Sequence, residues 1–451
     1  MARLIESLAT TDQLAELFSD QSVLQALLDF EAALARAQAR VGIIPPAAAE
    51  SIAAAAKAEA FDIAALSHDM LRAGTAGVPL AKALTEHVRA KDADAARYVH
   101  WGATSQDVAD TALVLLLKRA QNTLLGDISK LEQSLARLSD KHSKTVMLGR
   151  TLMQGAPPIT FGLKSAGWLG AVRRSRERLD SSFAAVLIVQ FGGASGTLAA
   201  LGEQGISVAV ELAKELGLGC PEAPWHTHRD RLANVICDCG VLTGSLGKIA
   251  RDISLLMQNE VAEVAEPGGQ GRGGSSTMPH KRNPIGSALT LAAAQRVPGE
   301  VAAFLSAMVQ EHERGVGGWQ TEWPIVASVI QSTGLAAASM AEVIEGLSVD
   351  AARMRANIGA THGLVFAERA MMLLAPKLGR DAAHKVVEEA TRKSATDARN
   401  LSEVLSEIPQ VTAHVDVSAL HQLEVPEQYL GSAEIFRNAL VSSARNSRKE
   451  R

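Results

Sequence analysis

Residues 273–284 read GGSSTMPHKRNP, and the residue types gathered there suit the capture of an anion. Gly268, Gly269, Gly271, Gly273 and Gly274 precede or open the stretch, so the backbone can take left-handed or extended geometry at little steric cost. The hydroxyls of Ser275 and Ser276 follow, then His280, Lys281 and Arg282 as potential cations and Asn283 as an amide. Pro279 and Pro284 stiffen the segment. Backbone N–H groups, hydroxyls and an ammonium can converge on a carboxylate. A flexible basic loop would have the same composition, so these residues alone leave both readings open.

Other stretches offer polar groups far from this one in sequence. YVHWGATSQD, residues 98–107, places His100, Thr104, Ser105, Gln106 and Asp107 just before a long apolar-periodic run. Ser105 or Asp107 would cap a helix there, and capping and anion binding use the same free N–H groups. GRTLMQGAPPIT, residues 149–160, offers Arg150, Thr151 and Gln154, and alone it reads as a loop between two helices. QFGGASGT, residues 190–197, reads as a hairpin turn. EHER, residues 311–314, reads as the charged end of a helix. His226 and His228 form an H-x-H pair, but no third ligand is signalled and no metal is expected.

Long helices must position these groups. From Val108 to Asp140 apolar residues recur at Leu113, Leu117, Ala120, Leu124, Ile128, Leu131, Leu135 and Leu138, the stripe of a bundle helix of roughly 48 Å. Similar segments cover Ile159–Val186, Arg229–Val264, Ile285–Glu313 and Thr321–Leu347. Shorter helices are expected on either side, with Asp20 as a cap for the run from Val23 to Val41. No alternating run is long enough to build a sheet. The fold class expected is all-α: a central bundle of long helices, residues 109–350, flanked by smaller helical domains at 1–108 and 351–451. The many Ala and Gly residues would let further helices approach closely.

Totals limit the function. The chain of 451 residues has 45 Lys and Arg against 49 Asp and Glu, a net charge of −4 that argues against a dedicated nucleic-acid binder. Its three cysteines lack zinc spacing and fit reduced thiols in a cytoplasmic protein. The N-terminus has no apolar signal core, and wholly apolar runs fall well short of a membrane span.

The signature stretch resembles the loop of the fumarase/aspartase superfamily, GSSxMPxKxNP. Gly274, Ser275, Ser276, Met278, Pro279, Lys281, Asn283 and Pro284 fill every fixed place. The HKR form is similar to the branch that holds adenylosuccinate lyases and bacterial 3-carboxy-cis,cis-muconate cycloisomerases. The resemblance spans nearly the whole chain and implies a homotetramer whose active sites combine loops from different subunits. It implies that Thr104 and Ser105 hold a substrate carboxylate, joined by Arg150, Thr151 and Gln154. It assigns Ser275 to proton transfer at the carbon next to a carboxylate, and Lys281 and Asn283 to holding that carboxylate as charge builds. His100, Ser276, Met278 and Arg314 complete the implied binding set. A hydroxyl is a poor base unless cations and N–H groups lower its pKa, and this loop supplies both.

One departure bears on the reaction. Lyases of this branch read GRTH in the second region, and that histidine assists the leaving group; here the position is Leu152. An amine leaving group needs a proton delivered, whereas a carboxylate, with a pKa of about 4, needs almost none. The expectation is therefore a cycloisomerase acting on a small di- or tricarboxylate, 3-carboxymuconate or its 3-sulfo analogue, with no cofactor implied. Adenylosuccinate cleavage and a non-catalytic structural role of the same fold are the alternatives. Leu152 and the polar-poor GVGGWQTEWP after Arg314 weigh against the first, and the intact signature loop against the second.

Overall fold

The computed structural model describes residues 4–269, 273, 274, 278 and 281–446. The fold is helical, and the five longest helices among the described residues are Ser105–Lys141, Phe161–Val186, Asp230–Leu256, Ile285–Ala307 and Gly318–Glu345. Each overlaps a segment expected from the apolar stripe. Ser105–Lys141 has 37 residues, which at 1.5 Å per residue is about 55 Å. Its predicted stripe from Leu113 to Leu138 is buried throughout, as is the stripe Leu242, Leu246, Ile249, Ile253 and Leu256 of Asp230–Leu256. Asp230–Leu256 and Gly318–Glu345 are long and apolar enough to pass for membrane spans, yet more than half of each apolar window is packed inside the fold. They are core helices.

The chain divides into two compact units. One comprises Met1–Ser129, Arg174–Lys248 and Ala288–Met340; the other comprises Lys130–Arg173, Ile249–Ser287 and Ala341–Arg451. In the first, the helix Asp20–Val41 buries Leu24, Leu27, Leu28, Phe30 and Leu34 among residues of Pro46–Ala55, Gly77–Arg89 and Gly205–Leu216. Ser19, not Asp20, is its cap: the Ser19 hydroxyl accepts from the Ser22 N–H at 3.3 Å. In the second unit, Ala367–Leu378, Arg380–Asp397 and Leu401–Ser406 close around Leu374, Val386, Leu401, Val404 and Leu405.

Gly77, at the start of the helix Gly77–Arg89, is required by a close approach. A Cβ there would lie 2.5 Å from the Ser105 Cα, so the absence of a side chain lets that helix abut the first residue of Ser105–Lys141.

Short antiparallel ladders also form, against the expectation of no sheet. Val264–Ala265 pairs with Ser348–Val349, and Val146–Thr151 pairs with Gln154–Thr160. The second ladder is the stretch expected to be a loop between helices. Two signals hid it. Pro157 and Pro158 lie within a strand, where proline removes a ladder donor. The connecting residues are Leu152 and Met153, not the Asn-Gly or Asp-Gly pair that usually marks a two-residue hairpin. Both take left-handed backbone, φ 48° and 66°, as a type I′ turn demands. The hairpin base compensates, since Val146 and Leu148 pack with Ile358, Val365, Phe366 and Tyr429.

Left-handed backbone costs a leucine about 1–2 kcal/mol, and a β-branched residue fits there less well. The Leu152 side chain is 97% exposed and has little packing to lose. Leu152→Asn is therefore expected to raise stability by a few tenths of a kcal/mol to about 1 kcal/mol, and Leu152→Ile to lower it by about 1 kcal/mol. Urea denaturation of both variants checks the order, and an isoleucine variant as stable as the asparagine one would contradict the turn assignment.

Candidate active site

The first cluster is built on the N-terminus of Ser105–Lys141. Its opening turn carries Asp107 and, one turn later, Asp110; both side chains are fully buried. A buried carboxylate has to be met by donors. Asp107 accepts from the Thr104 N–H at 3.0 Å, closing the helix end on itself as the acidic half of a capping box does. It also accepts from the backbone N–H groups of Gly192 at 3.0 Å and Gly193 at 2.9 Å. The Gln190 amide donates from 3.4 Å, and His226 Nε2 lies at 2.7 Å. The loop 190–197, expected to be a hairpin turn, thus supplies three of the donors that hold this carboxylate. Gly192 and Gly193 leave no room for side chains. A Cβ on Gly192 would meet Pro224 at 2.7 Å, and one on Gly193, where φ is 69°, would meet the Gly102 carbonyl at 2.9 Å.

Asp110 belongs to a buried ion network. Arg229 Nη1 and Nη2 donate to its two oxygens at 2.7 and 3.0 Å, and the same guanidinium donates to Glu322 at 2.5–3.0 Å. Trp319 Nε1 and Gln106 Nε2 each donate to Asp110 at 3.0 Å, and Gln310 donates to Glu322 at 2.9 Å. The Arg229 guanidinium lies 4.8 Å over the Trp225 ring. Burial pushes the Glu322 carboxyl up despite the attraction of Arg229. Burial works against the Arg229 charge as well, but Asp110 and Glu322 outweigh it and hold the guanidinium protonated.

Two residues predicted for substrate, Arg314 and His100, stand at this turn. Arg314 Nη1 donates to Gln106 Oε1 at 3.1 Å, while Nη2 donates to the carbonyls of Gly193 at 3.3 Å and Ala194 at 2.8 Å. EHER is not a helix end: Ile285–Ala307 stops before it, and Arg314 reaches the site from a turn. His100, left-handed at φ 58°, places Nδ1 2.6 Å from Glu31 Oε1. Burial lowers the His100 pKa, but the charge and hydrogen bond of Glu31 and the charge of Asp107 overcome this, and the net direction is upward. Thr104 and Ser105 are half-buried at the helix end. The H-x-H pair does not act as a unit: His226 is buried on Asp107, and His228 is exposed.

The second cluster lies in the other unit. Arg150 makes a two-pronged contact with the buried Glu263, Nη1–Oε2 3.0 Å and Nη2–Oε1 2.7 Å, and Asn357 donates to the same carboxylate at 2.8 Å. Within this chain Arg150 is therefore turned to Glu263. Thr151 and Gln154 are exposed beside the hairpin tip. Glu266 caps the helix Ile285–Ala307, accepting from the N–H groups of Gly286 and Ser287 at 3.0 and 2.9 Å and from the Ser287 hydroxyl at 2.6 Å. Met278, Lys281 and Asn283 line a cavity of about 810 Å³ with Gln258 and Asn259. The Asn283 N–H donates to the Gly273 carbonyl at 2.9 Å, closing the loop across its own ends. Ser275, Ser276 and His280 lie outside the described residues.

Such an arrangement can hold carboxylates at a helix end and at a cationic loop. Residues 6–299 match the family described as lyase, and residues 363–439 match the adenylosuccinate lyase C-terminus. The chain belongs to the lyase family of the fumarase/aspartase superfamily. A 3-carboxy-cis,cis-muconate cycloisomerase of Bradyrhizobium diazoefficiens is 49% identical over 424 residues, 94% of each chain. That of Pseudomonas aeruginosa is 51% identical over 419 residues, 93% of this chain and 91% of its own. The crystal structure of 3-carboxy-cis,cis-muconate lactonizing enzyme from Pseudomonas putida aligns with a TM-score of 0.93 at 45% identity, covering 99% of both chains. Among the described residues no group of three or more His, Cys, Asp or Glu is placed to hold a metal ion.

The network around Arg229 was not read from the sequence, although Asp107 and Asp110 are carboxylates within a largely apolar run that includes Val108, Ala109, Ala112 and Leu113. Arg229→Met leaves Asp110 and Glu322 buried without their cation, a loss of about 3–5 kcal/mol at neutral pH. The folded-state pKa of the Glu322 carboxyl, already raised by burial, then lies further above its unfolded value, so the folded state binds a proton first and stability returns as pH falls. Urea denaturation at about pH 8 and about pH 5 should show a larger deficit at the higher pH. Equal deficits would mean that the lost stability was packing and not charge.

Proposed function

We propose that the protein is a 3-carboxy-cis,cis-muconate cycloisomerase. One carboxylate oxygen of the substrate adds to a conjugated double bond, forming the C–O bond of a five-membered lactone. The π electrons move to the carbon beside another carboxylate, and that carbon then takes a proton. Thr104 and Ser105 hold one carboxylate, with His100 and Arg314 adding positive charge at the same turn. Lys281 and Asn283 hold the carboxylate on which charge develops, and Ser275 passes the proton. Ser276, Met278, Arg150, Thr151 and Gln154 line the substrate. Fixed donors stabilise such an intermediate best when they are already ordered before charge arrives.

Identity near one half to cycloisomerases over more than nine-tenths of both chains supports this reading. Within the family, the observation that carries it is Leu152. A leucine at the position of the lyase histidine carries no proton, and a carboxylate leaving group in the reverse reaction needs none. The match of residues 363–439 to the adenylosuccinate lyase C-terminus favours the second reading, adenylosuccinate cleavage, whose amine leaving group does need an acid.

Ultraviolet absorbance with 3-carboxymuconate and with adenylosuccinate separates the two. Wild type should consume only the muconate. Ser275→Ala should lose more than tenfold in kcat, above about 1.4 kcal/mol in barrier. Lys281→Ala should lose about 2–4 kcal/mol in kcat/KM. Leu152→His should gain no adenylosuccinate cleavage. Comparable rates on both substrates would overturn the argument from Leu152.

The same reading makes the enzyme a cytoplasmic homotetramer whose sites draw the signature loops from different subunits, with no nucleic-acid or membrane partner. Light scattering during turnover should find the tetramer; a fully active monomer would sink the composite site.

A further inference from the structure

Behind His100 stands a group that the reaction as written does not use. Glu31 lies on the helix Asp20–Val41 with its side chain 1% exposed. Its neighbours Phe30, Ala32, Ala33 and Leu34 are buried apolar residues. A carboxylate at such a position is costly unless something meets its charge. Oε1 meets His100 Nδ1 at 2.6 Å, while Oε2 is buried with no hydrogen-bond partner. The imidazole is thus the partner that justifies the charge. Two turns along the same face, the buried Gln38 donates to the Trp101 carbonyl at 2.6 Å. One helix face therefore grips consecutive residues of the turn that leads into Thr104, and that turn keeps His100 in left-handed backbone.

We propose that Glu31 is a positioning residue for the candidate active site: it accepts the Nδ1–H of His100 and favours its positive charge, so that Nε2–H is offered as a cationic donor to a substrate carboxylate at the start of the Ser105–Lys141 helix. What the imidazolium holds rests on the reading of the site as a carboxylate-binding one. The charged groups facing His100 are Glu31 and, from the first turn of Ser105–Lys141, Asp107; Arg314 reaches that turn through Gln106. The upward direction of the His100 pKa agrees with this placement.

The test uses the full-length protein with histidines ¹³C-labelled at Cε1, the His100 signal being assigned by its loss in His100→Asn. Without substrate, Glu31→Gln should lower the His100 titration midpoint by about 1–3 pH units. The alkaline limb of kcat/KM for lactone formation from 3-carboxymuconate should move down with it, with KM rising more than kcat falls. Glu31→Asp should restore part of both. An unchanged His100 titration in folded Glu31→Gln would overturn the proposal, as would an activity loss equal at every pH. Should Glu31→Gln fail to fold, a wild-type midpoint at or below the ordinary value of about 6.5 would overturn it instead. If wild type forms no lactone, the cycloisomerase reading fails on its own, while the titration still decides the pairing.

Discussion

A carboxylate taken out of water has to be answered by donors that cannot move away, and Asp107 sets this condition for the first site. Its two oxygens face the Thr104, Gly192 and Gly193 N–H groups, the Gln190 amide and His226. Those donors come from the helix end itself, from the 190–197 loop and from the segment before Asp230–Leu256. The charge thereby determines where each connection must lie. Asp110 repeats the arrangement one turn later with Arg229, Glu322 and Trp319. Removing a charge from such a buried set costs more than the set contributes when intact, because the remaining partners stay desolvated. The glycines at 77, 192 and 193 follow from the same geometry, since backbone must come within reach of a helix end already crowded by side chains.

What the sequence made legible was what is local. The long helices are written in apolar spacings of three and four, and every residue of the predicted stripe on Ser105–Lys141 is buried. The hairpin at 146–160 was illegible because its prolines and its Leu-Met turn contradict strand rules, and distant residues such as Ile358 and Phe366 overrule them. The ion network was illegible for a different reason. Asp110 and Arg229 are 119 positions apart, and Arg229 and Glu322 are 93 apart, with nothing in either neighbourhood to announce the other. The cationic signature loop was recognisable by resemblance, and Met278, Lys281 and Asn283 share a cavity. Arg150 could not be judged from its own segment, since its partner Glu263 lies 113 positions away.

The surroundings of Thr104 and Ser105 present an apparent contradiction. The turn proposed to take an anion lies beside the carboxylates of Glu31, Asp107, Asp110 and Glu322; the imidazole and guanidinium groups that meet those carboxylates are His100, His226 and Arg229, and Arg314 stands beside them. Arg229 is consumed by Asp110 and Glu322, with one further long contact from Nη1 to the His226 carbonyl at 3.5 Å. Arg314 spends donors on Gln106 and on backbone carbonyls, which carry no net charge, so among the described residues no carboxylate pairs with its charge at the helix end. The helix dipole adds the equivalent of roughly half a charge of the right sign. Asp107 offsets part of that dipole by accepting the Thr104 N–H. On the proposed reading, the remaining attraction for a substrate carboxylate depends on Arg314 and on the protonation of His100, which the contact with Glu31 from another helix favours. In that reading, buried carboxylates here order donors and favour the charged form of an imidazole; the anion is then met by what they have oriented, and the strength of that meeting should vary with pH as His100 does.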